Sequence, residues 1–390
     1  MQVVENPRLN FPVTEYRRRY AAVASRMKEM QLDALFTRNM DHICYLTGYE
    51  DPHIIMYHAL LVLSDGPVFF ARRYEKSNVR EYTWLPDCVT IEDLEEPADV
   101  VANRMRSLGL GNKRIGIERG MRKAGMFCGL EEFDTLRRLL PDADFVNALD
   151  VIPSVRVVKS DLEIEAMRVA ARIAESAVAS AIGVLEPGCT ENDVAAEYLR
   201  VAVKNGSEYP SLTPFMVSGR RTSLPHGTWR GRTVEPGDPF LFECSANHKR
   251  YEVPVMRTVS VGEPNARVKA MAAAEIEALE AGIAAMKPGV TGEDVHRVIY
   301  GIMDRHGFGG EYYKHPSGYS IGLSLPPAWS ETHHMMLREG ETKRLEPNMT
   351  FHVVPISLID DEVGVGFSAA VRVTEHGGEP LTNPRSLTIV

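Results

Sequence analysis

In the stretch Pro239-Phe-Leu-Phe-Glu243 a glutamate closes a run of large apolar residues. Strand alternation puts Leu241 and Glu243 on one face, and a carboxylate in so apolar a strand is expensive unless it is paired or used. His226, directly after Pro225, supplies an imidazole that can pass a proton to a leaving group. Together the two groups suffice for hydrolysis. Glu243 attacks an electrophilic sp² carbon or activates water toward it, and His226 carries the proton to the leaving nitrogen. The competing reading makes Glu243 a structural remnant and His226 a satisfied loop histidine.

Further candidates surround this pair. Tyr319 can donate a hydrogen bond to developing charge, as in an oxyanion hole, or simply fill space. His352 alternates with Val354 and so shares its strand face; the rival role is a hydrogen-bonded core histidine. Arg257 suits a substrate carboxylate through two parallel hydrogen bonds, or braces a neighbouring acid. Glu252, two residues before Pro254, is a second candidate carboxylate, with Lys249 and Arg250 as alternative ion-pair partners. Adjacent His333 and His334 point apart and lack spaced partners, so they do not form a metal site. Gly307-Phe-Gly-Gly310 has no strand-to-helix frame and no following lysine, so it reads as a helix stop.

The elements that must position these groups show in an internal repeat. Leu185-Glu-Pro-Gly-Cys-Thr-Glu-Asn-Asp-Val194 matches Met286-Lys-Pro-Gly-Val-Thr-Gly-Glu-Asp-Val295 at an offset of 101 residues. Each copy predicts a helix before Pro-Gly, then a second helix capped by Thr with Asp three residues on, stopped by Gly206 or Gly307. Val234-Glu-Pro-Gly-Asp-Pro-Phe-Leu-Phe-Glu243 answers Leu345-Glu-Pro-Asn-Met-Thr-Phe-His-Val-Val354 at an offset of 111, both as a turn and strand. Two such copies make a pseudo-symmetric domain with its pocket where they meet. Upstream, a helix over 14–31, strands at 32–36 and 114–117, a hairpin of 58–63 with 67–71 around Asp65-Gly66, and a helix over 98–108 describe a mixed α/β domain. Val151 to Arg156, with Pro153, reads as the linker, dividing the chain into 1–155 and 156–390.

Several of these segments together resemble the M24 family, the pita-bread fold of methionine aminopeptidase, prolidase, creatinase and ectoine hydrolase. The resemblance rests on Pro-His226 followed by Gly-Asp238, on Arg257-Thr258, Gly318-Tyr-Ser-Ile-Gly-Leu323, Leu345-Glu-Pro-Asn-Met-Thr-Phe351 and Val373-Thr-Glu375. Tyr45-Leu-Thr-Gly-Tyr49 adds the creatinase-type N-terminal domain. The implied architecture is a creatinase-type, ribonuclease H-like α/β N-terminal domain followed by an α+β pseudo-twofold pita-bread domain. The family's metallopeptidases hold two ions on two Asp, one His and two Glu; carried over, those positions are Glu243, Pro254, Tyr319, Val354 and Ser368. Such a set implies no metal and no other cofactor. Creatinase's guanidinium-binding glutamates correspond to Met256 and Val354, which disfavours creatine. Gly318 to Trp329, Glu243 and Met349 to His352 are most similar to the ectoine-hydrolase branch, which adds Trp329 to the substrate-binding residues. Gly364 to Ala370 departs from it by lacking a carboxylate. The resemblance also implies a homodimer in which the N-terminal domain closes the partner's pocket, with Tyr49, Glu50 and His53 contacting the neighbour's substrate.

Composition narrows the partners. A chain of 390 residues with 25% charged residues and a net charge of -9 has no basic cluster for nucleic acid or anionic membranes. Five scattered cysteines without a C-x-x-C pair fit a reducing, cytoplasmic setting. No apolar h-region and no span of roughly 18 apolar residues is seen. A small-molecule partner is expected. The reading is metal-independent hydrolysis of a non-peptide C–N bond, amidine or amide, in a small zwitterionic nitrogen compound, with ectoine or a close analogue foremost. The alternatives are an Xaa-Pro dipeptidase-type metallohydrolase, a lyase on the same scaffold, or a catalytically silent binding module.

Overall fold

The computed structural model describes residues 6–53, 56–119, 127–313, 315–331, 334–382 and 386–390. The chain forms two compact units, Met1–Arg156 with Leu325–Pro327, and Val157–Ser324 with Ala328–Val390.

In the first unit, α1 (Val13–Glu29) buries Val13, Tyr16, Tyr20, Val23 and Met27. Their steps of three and four residues form one helical stripe. The sheet contains β1 (Ala34–Thr37), β2 (His58–Val62), β3 (Val68–Arg72), β4 (Val89–Ile91), β5 (Arg114–Ile117) and β6 (Asp144–Asn147), ordered β4-β3-β2-β1-β5-β6. Strands β2 and β3 pair antiparallel around the Asp65-Gly66 turn, while β5 lies parallel to β1. The helices of this unit also include α2 (Met40–Thr47), α3 (Lys76–Tyr82), α4 (Pro97–Ser107), α5 (Leu130–Leu139) and α6 (Val151–Arg156). The last corrects the expected linker, since Val151 to Arg156 is helical. Pro153 falls in the first turn, where its missing N–H leaves no helical hydrogen bond unmade.

The second unit carries the repeat. Helices α7 (Asp161–Gly183) and α8 (Glu191–Lys204) precede β7 (Phe215–Ser218), β8 (Pro239–His248) and β9 (Tyr251–Ser260). Helices α9 (Ala266–Ala285) and α10 (Gly292–Arg305) precede β10 (Gly318–Ser320), β11 (Met336–Leu337), β12 (Thr350–Val353), β13 (Ile356–Ile359), β14 (Val363–Gly366), β15 (Ala369–Thr374), β16 (Gly377–Pro380) and β17 (Thr388–Ile389). The sheets run β17-β9-β8-β7 and β11-β10-β12-β15-β16, with β13-β14 as a separate hairpin.

The repeat holds at the level of single hydrogen bonds. Thr190 and Thr291 each cap a helix, accepting from the amides of Asp193 and Asp294, whose carboxylates answer the threonine amides. The bridges Thr190–Thr233 and Thr291–Arg344 are equivalent. The turn before each following strand needs a left-handed residue: Gly237 supplies it at φ 87° and Asn348 at φ 68°. Asparagine is among the few side chains that tolerate this region, so the Gly-to-Asn change between copies preserves the backbone.

Candidate active site

Strand β8 splits its side chains as alternation requires. Phe240, Phe242 and Cys244 join the core cluster that includes α7 and α8 residues, while Leu241 and Glu243 line a cavity of about 480 Å³. Register explains the surroundings of Glu243. Its neighbours across the ladder are Phe215 on β7 and Met256 on β9, and both line the same cavity. Among the described residues nothing hydrogen-bonds or ion-pairs with the Glu243 carboxyl. Desolvation therefore raises its pKa to about 7, because burial without a partner disfavours the charged form.

The cavity brings His226, Glu243, Tyr319 and Trp329 together. His226 sits at the rim with φ 58°, a strained conformation for a non-glycine residue, and its ring lies 5.1 Å from that of Phe215. Tyr319, only 9% exposed, comes from β10 and faces the cavity from the second copy of the repeat. Burial raises its pKa, with a further upward push from the Glu243 charge.

Behind Tyr319 lies a hydrogen-bonded relay. The Tyr319 hydroxyl accepts from Trp329 Nε1 at 2.8 Å and lies 3.0 Å from His352 Nδ1. His352 Nε2 lies 2.6 Å from Ser368 Oγ, which accepts from the Met256 amide at 2.7 Å. Burial pushes His352 well below its ordinary pKa, so its imidazole is neutral and carries one N–H. Placing that proton on Nδ1 lets Ser368 donate to Nε2; the opposite tautomer would orphan the buried Ser368 hydroxyl proton. In the satisfied arrangement Tyr319 accepts two hydrogen bonds, and its own O–H proton remains for the cavity.

Four expected substrate contacts lie elsewhere. His352 is fully buried behind Tyr319, with both ring nitrogens engaged, so it positions the tyrosine and does not line the cavity. Arg257 is spent internally: its guanidinium donates to the Met256 and Ser368 carbonyls, each at 2.8 Å, and pairs with Glu175 at 2.6 Å. Glu252 is fully buried, accepting from the Ser211 amide at 3.3 Å and from the Ser245 hydroxyl, with burial raising its pKa. Lysine and arginine neighbours in sequence suggested exposure, but the cross-strand partner of Pro254, Ser245, holds it inside. Tyr49 is 1% exposed; its hydroxyl donates to Glu75 at 2.9 Å and lies 3.1 Å from His58 Nε2. That side chain points into its own unit. His334 is buried, and His333 lies outside the described residues.

Sequence reasoning missed His315 and Phe215. His315 lines the cavity, its ring 6.1 Å from that of Tyr319. Its Nδ1 lies 2.6 Å from the Pro316 carbonyl, which can only accept; the proton is therefore on Nδ1, leaving Nε2 basic. Burial lowers its pKa, and the nearby His226 lowers it further. The signal was present in His315-Pro-Ser-Gly-Tyr319, an imidazole four residues before the tyrosine. Phe215 is identifiable only through the β7–β8 register.

The metallopeptidase family M24 description matches residues 165–375, and the creatinase/prolidase N-terminal domain matches residues 19–158. The chain belongs to family M24. It is 30% identical over 403 residues to the ectoine hydrolase of Halomonas elongata, spanning 98% of each chain. To an Xaa-Pro dipeptidase of Pyrococcus horikoshii it is 30% identical over 274 residues, 70% of this chain and 74% of that one. The dipeptidase PepE structure from Mycobacterium ulcerans has a TM-score of 0.84 at 26% identity, covering 97% of this chain and 99% of that one.

M24 membership raises the question of metal, and the donor set does not fit one. Of the five family ligand positions, Pro254 and Val354 offer no side-chain donor. Ser368 and Tyr319 are committed to the relay, leaving Glu243 alone. Val354 and Met256 instead join Val217 and Leu241 in an apolar cluster. One carboxylate facing such a cluster cannot supply the several converging O or N ligands a divalent cation needs. Among the described residues, the one trio with ligand spacing is Asp51, His58 and Glu75. It lies in the first unit and is already engaged by Tyr49 and by Asn78, which donates to Glu75 at 2.7 Å.

Proposed function

We propose that this chain is a hydrolase of a non-peptide C–N bond, amidine or amide, in a small zwitterionic nitrogen compound, acting through its own side chains without a catalytic metal. Ectoine or a close analogue is the first candidate. One observation carries the reading: Glu243 lines the cavity with no partner among the described residues and a pKa raised to about 7, in the same cavity as a tyrosine whose proton is unclaimed. As carboxylate, Glu243 takes a proton from the water that attacks the sp² carbon, or attacks that carbon itself to give a covalent intermediate that water then cleaves, regenerating the carboxylate. Tyr319 stabilises charge developing at the attacked centre, and His226 delivers a proton to the departing nitrogen.

The similarity to Xaa-Pro dipeptidases favours a second reading, a metallodipeptidase. Incubating the purified protein with ectoine or Xaa-Pro dipeptides, with and without EDTA, separates the two. The expected result is a ring-opened N-acetylated diamino acid from ectoine at a rate chelator does not change. Dipeptide cleavage restored by manganese after chelation supports the peptidase instead. By analogy with creatinase-type relatives we also infer a cytoplasmic homodimer, which light scattering checks; among the described residues no helix is long and apolar enough to cross a membrane.

A further inference from the structure

The cavity wall beside Glu243 is hydrocarbon, and a strand with a bare face backs it. Val217 and Leu241 pair across β7 and β8, and Met256 pairs with Glu243 across β8 and β9. With Val354 these apolar side chains form one cluster, against which Ile356 packs, and all of them line the cavity.

Strand β14, Val363-Gly-Val-Gly366, explains where Met256 stands. Alternation sends Val363 and Val365 into the core and turns Gly364 and Gly366 to the opposite face. A Cβ on Gly366 would overlap Met256 Sδ and lie 3.3 Å from Ile356 Cγ1. The φ of Gly366 is not positive, so close approach alone requires glycine there. The backbone on either side is pinned. The Met256 amide donates to Ser368 Oγ at 2.7 Å, and its carbonyl accepts from the Ser368 amide at 3.1 Å. The Gly366 amide donates to Thr258 Oγ1 at 2.9 Å, and that hydroxyl donates to the Gly366 carbonyl at 3.1 Å. The thioether therefore rests on a surface that does not recede.

An amidine or amide carbon carries two heteroatoms and one further substituent. The heteroatoms need the polar side of the cavity, where Tyr319 and His226 stand, which leaves the third substituent to the apolar wall. A polar group there would be desolvated without a partner, and a long one would meet Met256 with no room behind it. The geometry points to Met256, seated on Gly366, as a specificity determinant: it limits the attacked carbon to an alkyl substituent of one or two carbons, enclosed by Val217, Leu241 and Val354. The inference rests on the hydrolase reading and narrows its substrates.

Ectoine and analogues carrying hydrogen, ethyl or butyl in place of its 2-methyl group test it, each followed by calorimetric binding and by turnover on the full chain. In the parent the hydrogen analogue should bind about tenfold more weakly than ectoine, and the butyl analogue about a hundredfold more weakly. Met256→Ala should bring the butyl analogue within about threefold of ectoine. Gly366→Ala pushes the thioether into the cavity and should weaken the ethyl analogue about tenfold relative to the hydrogen analogue. Ratios between analogues cancel a general loss of folded protein, and adding Met256→Ala to Gly366→Ala removes the overlap and should restore the Met256→Ala ranking. The same ranking in every variant, a parent that binds the butyl analogue as well as ectoine, or no binding by any of the four overturns the proposal. Shifted rankings without turnover leave the alkyl site standing and sink the hydrolase reading; turnover with an unshifted ranking does the reverse.

Discussion

The two copies of the repeat treat their polar groups in opposite ways. The first, on β8, exposes Glu243 to the cavity with no partner among the described residues. The second, on β10, β12 and the segment before β15, saturates nearly everything: Trp329, Tyr319, His352, Ser368 and the Met256 amide form one closed chain of hydrogen bonds. One copy holds a reactive group at the cost of desolvating it, and the other holds a donor rigidly in place. A buried polar group left unsatisfied is costly, so this asymmetry supports the proposal that Glu243 does the chemistry while His352 holds Tyr319 in place.

The sharpest way to break that comparison is Glu243→Gln, which should lower turnover about a thousandfold with the fold intact; a rate near that of the parent ends the assignment. His226→Ala should cost about a hundredfold, with exogenous imidazole restoring part of the loss. Tyr319→Phe should lower kcat by about a hundredfold with little change in KM. It should also lower stability by about 1–2 kcal/mol, because Trp329 and His352 lose their acceptor.

The pH dependence sharpens it further. With Glu243 at about 7, kcat/KM should rise through an inflection near that pH, because the protonated acid can neither attack nor accept a proton. The stability effect runs the other way. A carboxyl raised on folding binds its proton more tightly in the native state, so its contribution is present at low pH and lost as pH rises through about 7. The unfolding free energy of Glu243→Gln relative to the parent, measured by denaturant titration, should therefore climb between about pH 5 and about pH 8 by on the order of 2 kcal/mol. The smallest effect on activity is expected at Arg257. Replacement by Leu should leave KM within about twofold while costing about 1–3 kcal/mol of stability, since Glu175 and two carbonyls lose their donor; a large KM increase would return it to the substrate.

Local rules made much of this legible in the sequence. Alternation placed Leu241 and Glu243, and the Thr-x-x-Asp caps, the Pro-Gly turns and the 101-residue offset disclosed two equivalent halves. Non-local facts were hidden. Which strand pairs with β8, and in what register, decides that Phe215 and Met256 flank Glu243, and no spacing along the chain encodes that. Face arguments also failed to separate cavity from core for His352, because Tyr319, from a strand paired with its own, stands between it and the open space. Arg257 found its acid on α7, 82 residues away, and Glu252 accepts from the Ser211 amide 41 residues away as well as from Ser245 across the β8–β9 hairpin.

The left-handed backbone of His226 has a practical corollary. An imidazole held at φ 58° costs the protein roughly 1 kcal/mol compared with glycine there. Selecting variants for heat tolerance alone would thus drift toward glycine at this position, and a thermostabilised library screened without an activity assay should accumulate inactive winners at its rim.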